Sequence, residues 1–223
     1  VFDYRLGARG SITDSIDWDI SGAYGQSENI QTIKGYTLNS RFRQSLRAGG
    51  TASAPVCFDT SNGCVAANVF GTIQPQAIPF LVQESTSFTK TSLAQVKGTI
   101  NGDAGITSPF AEDSVAFAVG GEYRKYTARQ GADALAKGGD LGGAGGATPD
   151  ISGGFDVYEG FGELVVPLVS DKPFVNSLTV EGGLRYSSYT VDAPGNPSYN
   201  TTTFKAGGTW EPIEGLSLRG NFA

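Results

Sequence analysis

A two-residue alternation of apolar and polar side chains recurs along almost the whole chain. Between residues 178 and 187, one parity is apolar and the other polar: Leu178, Val180, Leu184 and Tyr186 against Thr179, Glu181, Arg185 and Ser187. A β-strand points successive side chains to opposite faces of a sheet, so this alternation predicts a strand with one apolar and one polar face. Helical periodicity is nearly absent, and we therefore expect an all-β fold.

The same alternation predicts about nine strands. Their approximate ranges are 1–12, 16–27, 33–46, 86–101, 113–128, 155–169, 176–191, 200–211 and 215–222. Most exceed the roughly 5–6 residues typical of strands and match the roughly 9–11 residues that a tilted strand needs to cross a bilayer. Long strands with one apolar and one charged face predict part of a transmembrane antiparallel β-barrel. The alternative is a soluble β-sandwich, whose inner face would also be apolar.

Aromatic placement and connection lengths agree with a barrel. Aromatic side chains lie toward the predicted strand ends, as in interfacial girdles: Trp18, Tyr24, Tyr123, Tyr126, Tyr186, Tyr189, Trp210 and Phe222. The turn at 13–15 is short, whereas the connections 47–85 and 129–154 are long, and the second contains a glycine-rich run that composition predicts to be mobile. If connections alternate strictly between the two ends of the barrel, the long connection 47–85 falls at the end that carries the short turns. A missed strand near 28–46, or another element within 47–85, would restore the alternation.

Composition argues against nucleic-acid binding and against catalysis. The net charge is −6 and the charges are scattered, which argues against a nucleic-acid partner. The chain has no histidine, so Ser-His and Cys-His catalytic pairs are impossible. The carboxylate pairs Glu159/Glu163 and Asp17/Asp19 are better explained as charges on a wetted face than as a glycosidase pair. We expect no enzymatic activity, no cofactor and no metal site.

Cys57 and Cys64 flank a turn-rich segment, Asp-Thr-Ser-Asn-Gly at 59–63. Two cysteines without histidine are too few ligands for a metal. A local disulfide fits better and implies an oxidising compartment. The alternative is a pair of free thiols.

Ionisable residues that share one predicted face are the main site candidates. They are Glu122, Arg124, Glu159, Glu163, Glu181, Arg185, Lys205 and Arg219. We expect them to face the lumen of the barrel, where water is present. There, opposite charges on neighbouring strands can pair, or they can bind polar parts of a plug or a ligand. For any single residue, pairing with an opposite charge in the barrel wall is favoured over binding to a plug or a ligand.

Residues 157–168 read Val-Tyr-Glu-Gly-Phe-Gly-Glu-Leu-Val-Val-Pro-Leu. This segment resembles the Glu-x-Phe-x-Glu-Leu-x-x-Pro pattern in the barrel of TonB-dependent receptors. Five further segments are similar to that family in order and spacing: 64–71, 119–124, 178–189, 204–212 and 216–220. The similarity covers about 64–223, whereas residues 1–63 match only as generic barrel strands.

The resemblance implies a 22-stranded outer-membrane barrel that is closed inside by an N-terminal plug domain. It also implies a TonB complex that supplies energy from the inner membrane, and a bulky nutrient as ligand, such as a siderophore complex, cobalamin or an oligosaccharide. Residues 1–223 are expected to be a middle portion of the barrel, with the plug, the TonB-contacting segment and the C-terminal strands outside this chain.

Three functional hypotheses follow from the sequence. The leading one is a TonB-dependent receptor of the bacterial outer membrane that imports a scarce nutrient and has membrane lipid, the plug, the TonB complex and a small-molecule ligand as partners. The second is a passive porin-like channel, which needs no plug. The third is a secreted β-sandwich with an adhesive or structural role.

Overall fold

A computed structural model describes residues 1–223 and confirms an all-β fold, with 69% of the residues in strands. The long strands are β1 (Phe2–Thr13), β2 (Ile16–Leu38), β5 (Val82–Thr107), β6 (Ser114–Ala132), β8 (Ile151–Lys172), β9 (Val175–Val191), β10 (Ser198–Ile213) and β11 (Leu216–Phe222). The short strands are β3 (Ala48–Thr51), β4 (Ala54–Cys57) and β7 (Leu141–Gly142). The helices are α1 (Asn39–Leu46), α2 (Ile78–Leu81) and α3 (Ala134–Lys137), with 3₁₀ turns at Ser61–Gly63 and Pro75–Ala77.

Nine strands form one sheet: eight long strands that overlap the predicted ranges, and β7, which the alternation did not predict. The hydrogen-bonded order is β1-β2-β5-β6-β8-β9-β10-β11, and the two-residue β7 pairs with β2. The sheet is not closed, and the only other sheet is the β3–β4 hairpin. A sandwich needs a second sheet large enough to cover the apolar face of the first, so the structure contradicts the sandwich alternative.

The predicted strand list was wrong between residues 16 and 46. Candidates 16–27 and 33–46 were separate strands in the prediction, but β2 runs without a break from Ile16 to Leu38, and residues 39–46 form α1. This difference explains the connection lengths, because successive connections of an antiparallel meander alternate between its two ends. The short connections 14–15, 108–113, 173–174 and 214–215 then share one end, and 39–81, 133–150 and 192–197 share the other.

Two tight turns at the first end each place one residue of the connection in the left-handed region of the backbone. Gly215, in the two-residue connection between β10 and β11, has φ of 85°. Glycine adopts this conformation without the steric cost of a Cβ atom. Phe174, in the connection between β8 and β9, has φ of 63°, which is strained for a bulky residue. Trp210 Nε1 donates a hydrogen bond to Phe174 O at 3.1 Å, which stabilises this turn.

The chain divides into two compact units. The first comprises residues 1–27, 92–127 and 153–223, and it consists mainly of sheet strands. The second comprises residues 28–91 and 128–152 and contains two small apolar clusters. One cluster consists of Leu38, Ala132, Ala136 and Leu141, and the other of Ala77, Phe80 and Leu81. No helix of the structure combines the length and apolar character needed to span a membrane.

Candidate functional site

Strand pairing sorts the side chains of the first unit onto two faces. Glu159 of β8 lies opposite Ser187 of β9, and Arg185 lies opposite Thr203 of β10. Because residues two apart share a face, pairing and contacts bring all eight ionisable candidates to one side of the sheet, which we call the charged face. They are Glu122, Arg124, Glu159, Glu163, Glu181, Arg185, Lys205 and Arg219.

Glu159 is the centre of an ion cluster on the charged face. Its carboxylate accepts hydrogen bonds from Arg124 Nη2 at 2.5 Å and from Ser187 Oγ at 2.7 Å. Arg185 Nη1 lies 3.8 Å from the same carboxylate, whose side chain is only 3% exposed. A buried carboxylate is strongly disfavoured unless it is paired and hydrogen-bonded, and these contacts give Glu159 both.

Glu122 extends the cluster to the neighbouring strand β5. Arg124 Nε lies 3.4 Å from Glu122 Oε1, and Gln95 Nε2 donates to the same oxygen at 2.6 Å. Four adjacent strands, β5, β6, β8 and β9, are therefore connected by polar side chains across one row of the sheet. Such a network resists sliding of the strands, because a change of register would leave buried charges without partners.

Phe161 interrupts the charged face next to this cluster. Its ring lies between two cations: Lys97 Nζ is 5.5 Å and Arg185 Cζ is 5.2 Å from the ring centroid. A cation over an aromatic face is attracted by the ring quadrupole. The ring therefore contributes to binding the cations and does not break the polar network.

The remaining candidates are more exposed. Lys205 Nζ lies 3.0 Å from Glu163 Oε2, and these two side chains are 43% and 49% exposed. Arg219 Nε donates to Thr209 Oγ1 at 3.3 Å. Exposed pairs of this kind contribute about 1 kcal/mol or less, so these residues set the polarity of the face and add little to its stability.

The opposite side, which we call the apolar face, carries exposed large apolar residues. Leu184 is 56%, Leu218 is 51% and Trp210 is 41% exposed. Leu164, Val180, Tyr186, Phe204 and Phe222 also lie on it and are exposed. Large apolar side chains that are exposed together on one face mark a surface that meets lipid or a partner.

Tyr126, Phe155 and Tyr189 lie on the charged face, as Phe161 does, although sequence reasoning did not place them there. Tyr126 and Tyr189 were predicted as girdle residues, but Tyr126 stacks on Phe155 with the ring centroids 4.7 Å apart, and Tyr189 pairs with Val157, two residues before Glu159. Both tyrosines lie two residues after a residue of the charged face, Tyr126 after Arg124 and Tyr189 after Ser187, and residues two apart in a strand share a face. They were assigned to a girdle because they lie near strand ends, and this alternation was not applied to them.

The second unit is organised by carboxylates at the ends of its connections. Asp133 caps α3: it accepts hydrogen bonds from the backbone N–H groups of Ala136 and Thr86 and from Ser85 Oγ. These bonds, led by that of Ala136, lower the pKa of Asp133. Asp140 accepts from Ser40 N at 2.7 Å, which ties residues 133–150 to α1.

Glycine shapes the run that composition predicted to be mobile. Gly139, Gly143, Gly145 and Gly146 all have positive φ, a conformation that other residues adopt only with strain. Lys137 Nζ, at the start of the run, lies 2.7 Å from Asp150 Oδ2. The hydrogen bond from Lys137 is the main reason that the pKa of Asp150 is lowered, and the positive charge of Lys137 lowers it further.

Cys57 and Cys64 are joined by a disulfide with their Cα atoms 6.3 Å apart. The bridge closes a loop that contains the 3₁₀ turn at 61–63, and Cys64 packs against the cluster of Ala77, Phe80 and Leu81. Gln44 Nε2 of α1 donates to Asp59 O and Ser61 O within this loop. The loop is therefore held at its two ends by the disulfide and at residues 59 and 61 by hydrogen bonds from α1.

A comparison with models of protein families matches residues 2–223 to one described as "TonB dependent receptor-like, beta-barrel". The match covers nearly the whole chain, including residues 2–63, which resembled the family only as generic strands. No curated protein and no solved structure matches significantly.

Proposed function

The chain belongs to the TonB-dependent receptor β-barrel family, and from this premise we propose that it forms wall strands of a transporter that imports a scarce nutrient. TonB-dependent receptors are outer-membrane transporters and not enzymes. The imported solute of this protein is a bulky nutrient, such as a siderophore complex, cobalamin or an oligosaccharide. Energy for its import comes from the TonB complex.

The sorting of side chains onto two faces is the observation that carries this proposal. Leu184 and Arg185 are neighbours in β9, yet one is an exposed apolar side chain and the other belongs to the ion cluster on the opposite face. The same division holds for Leu218 and Arg219 in β11. In a membrane barrel, lipid covers the apolar face and the charged face lines a wet interior.

We assign the eight charged candidates to the lumen on this basis. In this family a plug domain fills the barrel, and the charged face is the surface that such a plug would contact. Opposite charges within the cluster neutralise one another, so the wall presents polar groups to the plug without a large field of one sign.

The open sheet supports a place within a larger barrel. An open sheet edge cannot persist in hydrocarbon, because its N–H and C=O groups would have no partners. In the proposed barrel of 22 strands, β1 and β11 pair with further strands of the same protein. Residues 1–223 then serve as one arc of the wall, and the plug and the segment that contacts TonB lie in other parts of the protein.

The test is uptake by cells that lack the gene for this protein. A panel of labelled ferric siderophores, cobalamin and oligosaccharides is offered to wild-type cells, to the deletion strain and to a strain without TonB. We expect uptake of one class to fall to background in both mutants and to return when the intact protein is restored.

Two results would contradict the proposal. Uptake that is lost in the deletion strain but persists without TonB, or after collapse of the proton-motive force, would favour the passive channel. Recovery of the intact protein in the soluble fraction, with no heat-dependent shift on a gel, would show that the apolar face does not meet lipid.

A further inference from the structure

Tyr126, Phe155 and Tyr189 form a row across three adjacent strands of the charged face, which we call the aromatic platform. The rings of Tyr126 and Phe155 are stacked, with centroids 4.7 Å apart and an interplanar angle of 23°. Phe155 and Tyr189 follow, with centroids 6.4 Å apart. All three residues lie toward the ends of β6, β8 and β9 that join the connections 133–150 and 192–197.

The platform is held in place from below and from the side. Val157, between Phe155 and Glu159 on the same face, has no exposed surface, so the space beneath the rings is filled. Arg124 Nη1 donates to Tyr126 Oη at 3.5 Å, and Arg124 is itself bound by Glu159. This contact orients Tyr126, whose ring stacks on Phe155, so that part of the platform is fixed before a ligand binds.

The chemistry of the platform differs from that of the rest of the charged face. Phe155 is 38% exposed, although it lies on the side of the sheet that carries ions and not on the apolar face. Exposing an aromatic ring to water is unfavourable, whereas aromatic faces bind flat rings by stacking with centroids about 4.5–7 Å apart. The two tyrosine hydroxyls and Arg124 at the edge supply polar partners for substituents of such a ring.

We propose that the aromatic platform binds a ring-bearing part of the imported solute by stacking. The ring belongs to an aromatic group or to a pyranose sugar, since both offer a flat apolar face with polar groups at its edge. This inference rests on the proposed function, because it needs the charged face to line the path of the solute.

The structure contains a matched control for this proposal. Tyr123 and Tyr158 lie on the same strands as Tyr126 and Phe155, and their centroids are also 4.7 Å apart. They lie on the opposite face, because Tyr158 pairs with Ser188 and is one residue from Glu159. Substitutions in this pair remove a similar aromatic contact without touching the platform.

The experiment uses the intact receptor in detergent, with 4-hydroxybenzoate and methyl β-D-glucopyranoside as probes. Binding is followed by saturation-transfer difference NMR, with empty micelles as blank. We expect saturable binding of one probe, and Phe155→Leu or Tyr189→Leu to weaken it about tenfold, in line with the loss of one ring contact. Leucine keeps Val157 covered and preserves the fold, which a heat-shift gel verifies.

The control pair decides the interpretation. Tyr123→Leu and Tyr158→Leu are expected to leave the affinity unchanged within about twofold. Equal weakening by the two sets of variants, or saturable binding of neither probe to the wild-type receptor, would overturn the proposal. The second result would mean that the plug covers the rings.

Uptake by cells separates this inference from the proposed function. If uptake requires TonB but is unchanged in the Phe155→Leu and Tyr189→Leu strains, the transporter assignment stands and the platform is refuted. If uptake does not require TonB, the proposed function fails whatever the probes show. Support for both needs TonB-dependent uptake that weakens in the platform variants and not in the Tyr123→Leu or Tyr158→Leu strains.

Discussion

The ring of Phe161 lies against the backbone of Gly120 on the neighbouring strand. A Cβ atom at Gly120 would be 2.5 Å from Phe161 Cζ and 2.6 Å from Gly98 O. Glycine is therefore required at residue 120 by close approach from two sides. The recess that it leaves places the ring between Lys97 and Arg185.

Gly120→Ala is expected to destabilise the barrel wall by about 1–3 kcal/mol, because the added methyl group overpacks the site and one of its neighbours is backbone. Unfolding in urea of the intact protein, folded in lipid vesicles, measures the effect. Gly121→Ala is the matched control, since a Cβ atom there meets only Glu159 O at 3.4 Å. Equal stability of the two variants would show that Phe161 can leave Gly120 at little cost.

Glu159→Gln tests the buried ion cluster. The substitution keeps the shape but removes the charge that binds Arg124, so we expect a loss of about 3 kcal/mol or more. Glu163→Gln removes the exposed partner of Lys205 and is expected to cost about 1 kcal/mol or less. The same urea titration compares the two. A smaller loss for Glu159→Gln than for Glu163→Gln would mean that the cluster is open to water in the complete barrel.

The alternation of Leu184 with Arg185 was sufficient to predict the faces of β9, because a strand repeats every two residues whatever its partners. The same logic predicted the eight charged residues as one face. It could not assign partners, because pairing of Arg124 with Glu159 depends on the register between β6 and β8, which the sequence of either strand does not contain.

Residues 28–46 show why the strand list failed. The segment 28–32 is mostly polar and lay between two predicted strands, and Gly35 has φ of 92°. The hydrogen-bond ladder of β2 continues through it nevertheless. Residues 39–46 then form α1, whose polar sequence carries only a weak helical signal and whose position is set by contacts such as Arg41 Nη1 donating to Phe80 O.

Asp133 makes the second unit sensitive to acid. Its pKa is lowered by hydrogen bonds from Ala136 and Thr86, so it binds protons less readily in the folded state than in the unfolded one. The stability that it contributes is present above the unfolded pKa of about 4 and is lost as the pH falls through the lowered pKa. We expect hydrogen exchange at residues 134–138, corrected for the intrinsic rate, to accelerate in that range.

The control for this pH effect is Asp133→Asn, which keeps an acceptor for Ala136 N but has no carboxylate to titrate. It should exchange faster than the wild type at neutral pH and depend less on pH below about 4. Asp150, whose pKa Lys137 lowers, also titrates in this range, so Asp150→Asn measures its share. An unchanged pH profile in Asp133→Asn would assign the effect to other carboxylates.

Removal of the Cys57–Cys64 disulfide is expected to act locally. The closed loop is short, so the chain-entropy estimate is about 2–3 kcal/mol. It applies to the segment that packs on Ala77, Phe80 and Leu81. In a Cys57→Ser/Cys64→Ser variant, limited proteolysis should cut near residues 58–74 faster, while the urea midpoint of the wall changes little. A lower urea midpoint for unfolding of the barrel wall in this variant would show that the loop and the strands unfold together.

Paired labels on β9 test the geometry on which the transport assignment depends. Leu184→Cys and Arg185→Cys are adjacent substitutions on opposite faces, and the native cysteines are both in the disulfide. With nitroxide labels on the intact protein in lipid vesicles, Leu184→Cys should be accessible to oxygen and shielded from a water-soluble nickel complex, because oxygen concentrates in hydrocarbon. Arg185→Cys should not share this lipid signature, since its label lies in the lumen or against the plug. The reverse pattern, or equal access of the nickel complex to both labels, would mean that the apolar face is not covered by lipid. The assignment of these strands to the wall of an outer-membrane transporter would then fail.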